Sequence, residues 1–223
     1  MAERTRLVAS VTLALAAFLG CLMMMAADDV SRESTAAVID VLPSQLIAQP
    51  PGADWLSYNG DFTGRRLSSL SQISPANVGQ LRPQWVFHSS NSNRLEVTPV
   101  VVNGVMFVTS ANDTYALDAR TGRVIWHHVW PISEGLIDDA SGNLSRGVAV
   151  WHSRVYRQTD NAHLLCLDAR SGNLLWDVAY ADWNPNYGAT GAPLVVKDKV
   201  IVGTSGGDDG VRGFVAACDA TTG

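Results

Sequence analysis

Between residues 98 and 126 the chain alternates short β-branched or aliphatic runs with polar breaks, TPVVVNGVMFVTSANDTYALDARTGRVIW. Residues 100–102 and 105–108 read as two strands, because Asn103-Gly104 between them tolerates the positive φ angles of a type I′ hairpin turn. Residues 115–117 supply a third strand, the polar segment 118–122 turns the chain, and residues 123–126 run back as a fourth. The predicted unit is one four-stranded antiparallel sheet. The same pattern returns over residues 146–176 and 192–223, with Asp118, Asp168 and Asp219 spaced by 50 and 51 residues and Trp126 and Trp176 by 50. A fixed period of that size is the signature of propeller blades, so the chain reads as an all-β repeat protein.

The flanks break the pattern. Arg4 and Arg6 precede an uncharged apolar run over residues 7–25, so residues 1–26 read as an export signal. An uncleaved anchor is the alternative, because the run approaches membrane-spanning length, and lipidation of Cys21 is a minor one. Residues 27–53 read as a linker, with a breaker at Pro50-Pro51-Gly52 and a short helix near residues 38–42. Residues 54–85 are not a full copy of the repeat. They are expected to cap the array, with a short helix over 75–80 and a strand ending at Trp85-Val86-Phe87.

Composition sharpens this picture without changing it. The 223 residues are 47% hydrophobic, include 19 glycines and carry a net charge of −5. That suits a globular all-β chain and excludes a nucleic-acid footprint. After signal removal only Cys166 and Cys218 remain. Both stand at matching places beside the repeated Asp, where a buried free thiol is expected.

Repetition also decides what is chemistry and what is scaffold. A mechanism needs a given carboxylate once, whereas a turn needs its Asp in every blade. Asp118, Asp168 and Asp219 are therefore expected to accept backbone N–H bonds in their own turns, with Gly122 and Gly172 allowing the tight return and the tryptophans packing on the next sheet. Function belongs where the copies differ. From hairpin turn to repeated Asp, the three copies take 14 (Gly104 to Asp118), 15 (Ser153 to Asp168) and 21 residues (Asp198 to Asp219). The third copy therefore carries an insertion over residues 203–213, GTSGGDDGVRG. Its glycines permit close approach to a ligand, its N–H groups can face an anion, and a carboxylate there can hold a hard cation.

The repeat ending A-x-D-x-x-T-G-x-x-x-W, the opening D-W-x-x-Y, the L-S-Q-I-S-P-x-N-V-x-x-L segment and R-G-V-A together resemble the N-terminal part of pyrroloquinoline quinone (PQQ)-dependent alcohol dehydrogenases of the methanol/ethanol type. The resemblance runs from Asp54 to Gly223. It implies an eight-bladed β-propeller, of which this chain supplies about three blades, exported to the periplasm and holding PQQ with Ca²⁺ or a lanthanide at its axis. By the same resemblance Glu96, Arg146, Thr159, Ser205, Gly206 and Gly207 contact the cofactor, and Asp208 stands where the family has a metal-binding Glu. Asp is shorter by one methylene, about 1.5 Å of reach.

The implied activity is oxidation of a small alcohol, with electrons passing to a periplasmic cytochrome c. The catalytic base is expected beyond residue 223, in roughly five further blades, so no residue of this chain is assigned as catalytic. The adjacent cysteine pair common in the family is absent from residues 131–145. That departure, with Asp208, leaves a non-catalytic propeller serving as a binding or scaffold protein as the alternative.

Overall fold

The computed structural model describes residues 38–47, 50–90, 94–136 and 142–223. The expected signal at 1–26 lies outside them. Three antiparallel sheets follow one another in chain order. The first contains β1 (Val100–Val102), β2 (Val105–Ser110), β3 (Asp113–Asp118) and β4 (Val124–Val129), hydrogen-bonded in sequence. The second contains β5 (Ala149–Trp151), β6 (Arg154–Gln158), β7 (His163–Asp168) and β8 (Leu174–Ala179), in the same order. The third contains β9 (Leu194–Val196), β10 (Lys199–Gly203) and β11 (Val215–Asp219). Strands two and three of each sheet run further than their apolar runs, because the ladder recruits polar residues such as Thr109 opposite Thr114 and Ser110 opposite Asp113.

The hairpin turn forms as expected, with Asn103 at φ 49° and Gly104 at φ 80°. The repeated Asp is a turn residue in every sheet. Asp118 Oδ1 accepts from Arg120 N at 2.9 Å and Thr121 N at 3.0 Å, and Asp168 and Asp219 repeat the arrangement. At Asp219 the backbone N–H groups of Thr221 and Thr222, helped by Lys199, pull the carboxyl down to about 2.

Blade-to-blade packing uses one device three times. A Cβ added to Gly172 would lie 2.6 Å from the Trp126 ring, and one on Gly122 would lie 2.5 Å from the Trp85 ring. Trp176 meets Gly223 in the same manner. Each glycine also sits at positive φ, so two independent constraints exclude a side chain at Gly122 and Gly172, whereas at Gly223, where a Cβ would lie 3.2 Å from the ring, backbone conformation is the main one. Trp126 Nε1 adds a bond to Ala169 O at 3.0 Å. Trp85 thus acts as a docking tryptophan, although the strand expected at 85–87 does not form. Its backbone finds no ladder partner among the described residues, and a strand needs one.

Two cores result. Phe107, Ala116 and Trp126 meet Val155, Leu165 and Leu167 between the first two sheets. Tyr156, Leu164 and Cys166 meet Val200, Val202 and Cys218 between the second and third. Cys166 and Cys218 are free buried thiols, and burial pushes Cys166 up to about 12.

The linker expectation is corrected from Ile39 onward, since Ile39, Val41 and Leu46 belong to the first core. The helix near 38–42 is also displaced, to Pro43–Ile47. Proline suits the first helical position, and Gln45 Oε1 reaches back to the Leu42 N–H at 2.7 Å, so the helix starts after Leu42. The helix expected at 75–80 shrinks to a 3-10 turn, Val78–Gln80. Among the described residues no helix is long and apolar enough to cross a membrane.

Candidate functional site

A short rail of backbone bonds runs across the three sheets just ahead of their innermost strands. Thr98 N donates to Arg146 O at 3.1 Å, and Arg146 N donates to Thr190 O at 3.0 Å. Gly147 makes the approach possible: it sits at φ 131° and a Cβ there would lie 3.0 Å from Thr98 O. The rail fixes three backbones whose nearby side chains carry the site.

Arg146 is the centre. Its Nη2 meets Glu96 Oε2 at 2.9 Å, and its Nη1 donates to Thr190 Oγ1 at 2.6 Å. The ion pair is part-exposed, 39% for Arg146 and 44% for Glu96, so it adds little to stability. Its effect is geometric, holding a permanently charged fork in one orientation.

Thr190 also borders a hollow of about 330 Å³, shared with Gln158, Gly191, Gly203 and Ser205. The insertion reaches this hollow through its first residues. Ser205 N donates to Gly188 O at 2.8 Å and Gly188 N to Ser205 O at 3.4 Å, so the inserted loop is clamped to the segment that carries Thr190. Gly206 is buried at φ 102°, and a Cβ there would lie 2.5 Å from Asn186 O. Only glycine fits. Past that point the loop turns outward: Gly207 and Asp208 are exposed on a 3-10 turn, Gly207–Asp209, and do not line the hollow.

The structure therefore links Glu96 through Arg146 to Thr190, places Thr190 and Ser205 on one hollow with Gly206 buried next in the chain, and leaves Gly207 and Asp208 exposed outside it. Thr159 stands apart from this group. It is fully buried, its hydroxyl donates to Asn161 Oδ1 at 2.6 Å and accepts from His163 N at 3.2 Å, and it does not border the hollow. Its hydroxyl closes a turn between β6 and β7. The hydroxyl that meets Arg146 is Thr190, which sequence reasoning missed. The available signal was Y-G-A-T-G-A-P at 187–193, a hydroxyl flanked by glycines directly ahead of an innermost strand.

Buried polar groups also line the joint between the first two sheets. Arg157 is 0% exposed and donates to Ala111 O at 2.8 Å and to Gln158 O. Burial lowers its pKa to about 10, against the pull of Asp160 and Asp113. Asp160 in turn accepts from Asn112 Nδ2 at 2.7 Å and from Ser133 N at 2.8 Å. No group of three His, Cys, Asp or Glu that could hold a metal ion occurs among the described residues.

Comparison with known proteins follows the same lines. The alcohol dehydrogenase (quinone) dehydrogenase subunit of Gluconobacter oxydans is 39% identical over 181 residues, 78% of this chain and 24% of that protein. The lanthanide-dependent methanol dehydrogenase of Methylacidiphilum fumariolicum is 37% identical over 183 residues, 79% of this chain and 30% of that protein. The solved structure of quinohemoprotein alcohol dehydrogenase ADHIIG from Pseudomonas putida superposes with a TM-score of 0.75 at 37% identity, covering 84% of this chain and 28% of that one. The chain thus spans about a quarter of the length of such relatives. Residues 55–223 match the PQQ glucose/ethanol/alcohol dehydrogenase β-propeller domain, and the chain belongs to that family.

Proposed function

We propose that this chain contributes one wall of a PQQ site within a gene product that oxidises a small alcohol and passes the electrons to a periplasmic cytochrome c. The observation that carries this reading is the Glu96–Arg146–Thr190 chain of bonds opening on the hollow beside Ser205. The donor set suits the cofactor. PQQ is a flat, multiply carboxylated quinone, and a fixed guanidinium with neighbouring hydroxyls recognises carboxylates by charge-assisted bonds.

The chain's own groups have separable tasks. Arg146 binds and orients an anionic edge, Glu96 holds the guanidinium, and Thr190 and Ser205 line the adjoining hollow. Gly206 keeps Ser205 close to the Thr190 segment. When bound, the quinone supplies the two-electron acceptor for the alcohol's C–H bond.

The companion cation fits this chain less well. Asp208, the residue expected to hold Ca²⁺ or a lanthanide, is exposed and outside the hollow, so its carboxylate is not placed to hold a cation there. That observation favours a second reading, a propeller that binds without catalysing. Export to the periplasm, with or without an N-terminal anchor, is proposed from residues 1–26.

The test is to reconstitute the complete gene product with PQQ and Ca²⁺ and follow quinone absorbance and dye-linked alcohol oxidation. Bound quinone with oxidation supports the enzyme. Bound quinone without oxidation supports the binding propeller, and no bound quinone overturns the PQQ assignment.

A further inference from the structure

Gln158 is the last residue of β6, 2% exposed, yet its side chain borders the hollow. It lies on the face of the second sheet that meets the third, on the same side as Leu164 and Val178 in the ladder. A buried carboxamide is costly unless both ends are used. One end is: Tyr180 Oη donates to Gln158 Oε1, and Tyr180 Oη also lies 3.3 Å from Gly203 O at the root of the inserted loop. Burial pushes the Tyr180 phenol well above its ordinary range, with the Cys218 thiol adding to the effect, so it remains a neutral donor. With Oε1 taken by Tyr180, Nε2 points the other way. A Cβ added to Gly191 would lie 3.0 Å from it, so a glycine at 191 is what leaves the amide room. No described residue accepts a hydrogen bond from Nε2, in a hollow whose other polar lining includes Thr190 and Ser205.

We propose that Gln158, oriented by Tyr180, is a further binding residue of this hollow, its Nε2 donating to a carboxylate of the bound ligand. This rests on the PQQ reading above. The argument is one of matched polarity: the Thr190 hydroxyl, held from outside the hollow by Arg146 Nη1, is one polar group of the lining, and the Gln158 amide adds two N–H donors to it. A neutral amide adds recognition of a carboxylate without a second buried cation, whose desolvation would be far more costly. Tyr180 is a positioning residue, since it acts through Gln158.

The experiment uses the complete gene product and two probes, PQQ and its neutral carboxylate methyl ester, each titrated by quinone absorbance against wild type, Gln158→Leu and Tyr180→Phe, with thermal unfolding of each variant. The expected result is that Gln158→Leu weakens PQQ at least tenfold and the ester less than twofold. Tyr180→Phe, which keeps the packing but frees the amide, should weaken PQQ about threefold to fivefold, with the ester unchanged, as loss of one orienting bond predicts. A wild type that binds neither probe overturns the PQQ reading, and this proposal with it. A wild type that binds PQQ while Gln158→Leu binds it equally well overturns the role of Gln158 alone. Equal loss of acid and ester assigns Gln158 to packing and also overturns it. Should Gln158→Leu fail to fold, Tyr180→Phe decides by the same acid-to-ester difference.

Discussion

The docking turns at the rim and the loops ahead of the innermost strands are built from the same repeat but obey opposite rules. At the rim, Asp118, Asp168 and Asp219 accept the same two backbone N–H bonds, and Trp85, Trp126 and Trp176 stack on the glycines of the next turn. Near the hub no position is repeated: Glu96, Arg146 and Thr190 differ from copy to copy, and only the third copy carries the inserted loop. Uniformity marks what every blade needs to pack. Divergence marks what the molecule needs once.

The largest effects should come from the rim. Trp126→Ala removes a buried ring and its bond to Ala169 O, and should destabilise the protein by about 3–5 kcal/mol in denaturant unfolding while leaving the hub ligands in place. Gly172→Val should be comparably damaging, because the side chain meets the Trp126 ring at positive φ. A Gly172→Val protein as stable as wild type would remove the docking argument.

Arg146→Leu should do the reverse. Its ion pair is part-exposed, so the melting temperature should shift little, but PQQ affinity should fall on the order of a hundredfold, the loss of a charge-assisted fork. If the variant loses stability and keeps affinity, the two regions have been assigned the wrong way round.

A pair of threonines sharpens the contrast further. Thr159→Val strands the His163 N–H and should cost about 1–2 kcal/mol of stability with unchanged quinone affinity. Thr190→Val should weaken affinity severalfold with little loss of stability. Identical behaviour of the two variants would contradict their placement in different regions.

The smallest effect is a pH dependence of the rim. Burial raises the Asp118 and Asp168 carboxyls, but bonds from Arg120, Thr121, Ser171 and Arg170 outweigh it, and the net shift is downward. Their folded pKa lies below the unfolded 3.8, so their contribution is fully present above that value and is lost as pH falls through the lowered folded pKa. The carboxylates are part-exposed, so solvent screening keeps the effect weak. Replacing Asp168 with Asn should flatten the acid limb of a melting-temperature profile, and an unchanged slope would show that the turn carboxylate is not the titrating group.

The rim was legible in the sequence for a physical reason. Strand period, turn chemistry and a spacing of about fifty residues are local signals, and repetition supplied its own control. The hub was legible only in part. Glu96, Arg146 and Ser205 were read from the family resemblance, but which hydroxyl faces Arg146 depends on register between blades, so Thr190 was missed and Thr159 chosen in its stead. Asp208 was read from its place in a motif, whereas its exposure follows from Gly206 turning the loop back against Asn186 O. Arg157 and Gln158 looked like ordinary members of an R-V-Y-R-Q strand. Their burial is set by the sheets on either side, which no local pattern reports.

The most direct measurement is an experimental structure of the complete gene product after soaking with PQQ. The account predicts quinone density against Arg146 Nη1, Thr190 and Ser205, with Thr159 out of contact. Density elsewhere, or PQQ carboxylates turned away from Arg146, would contradict it.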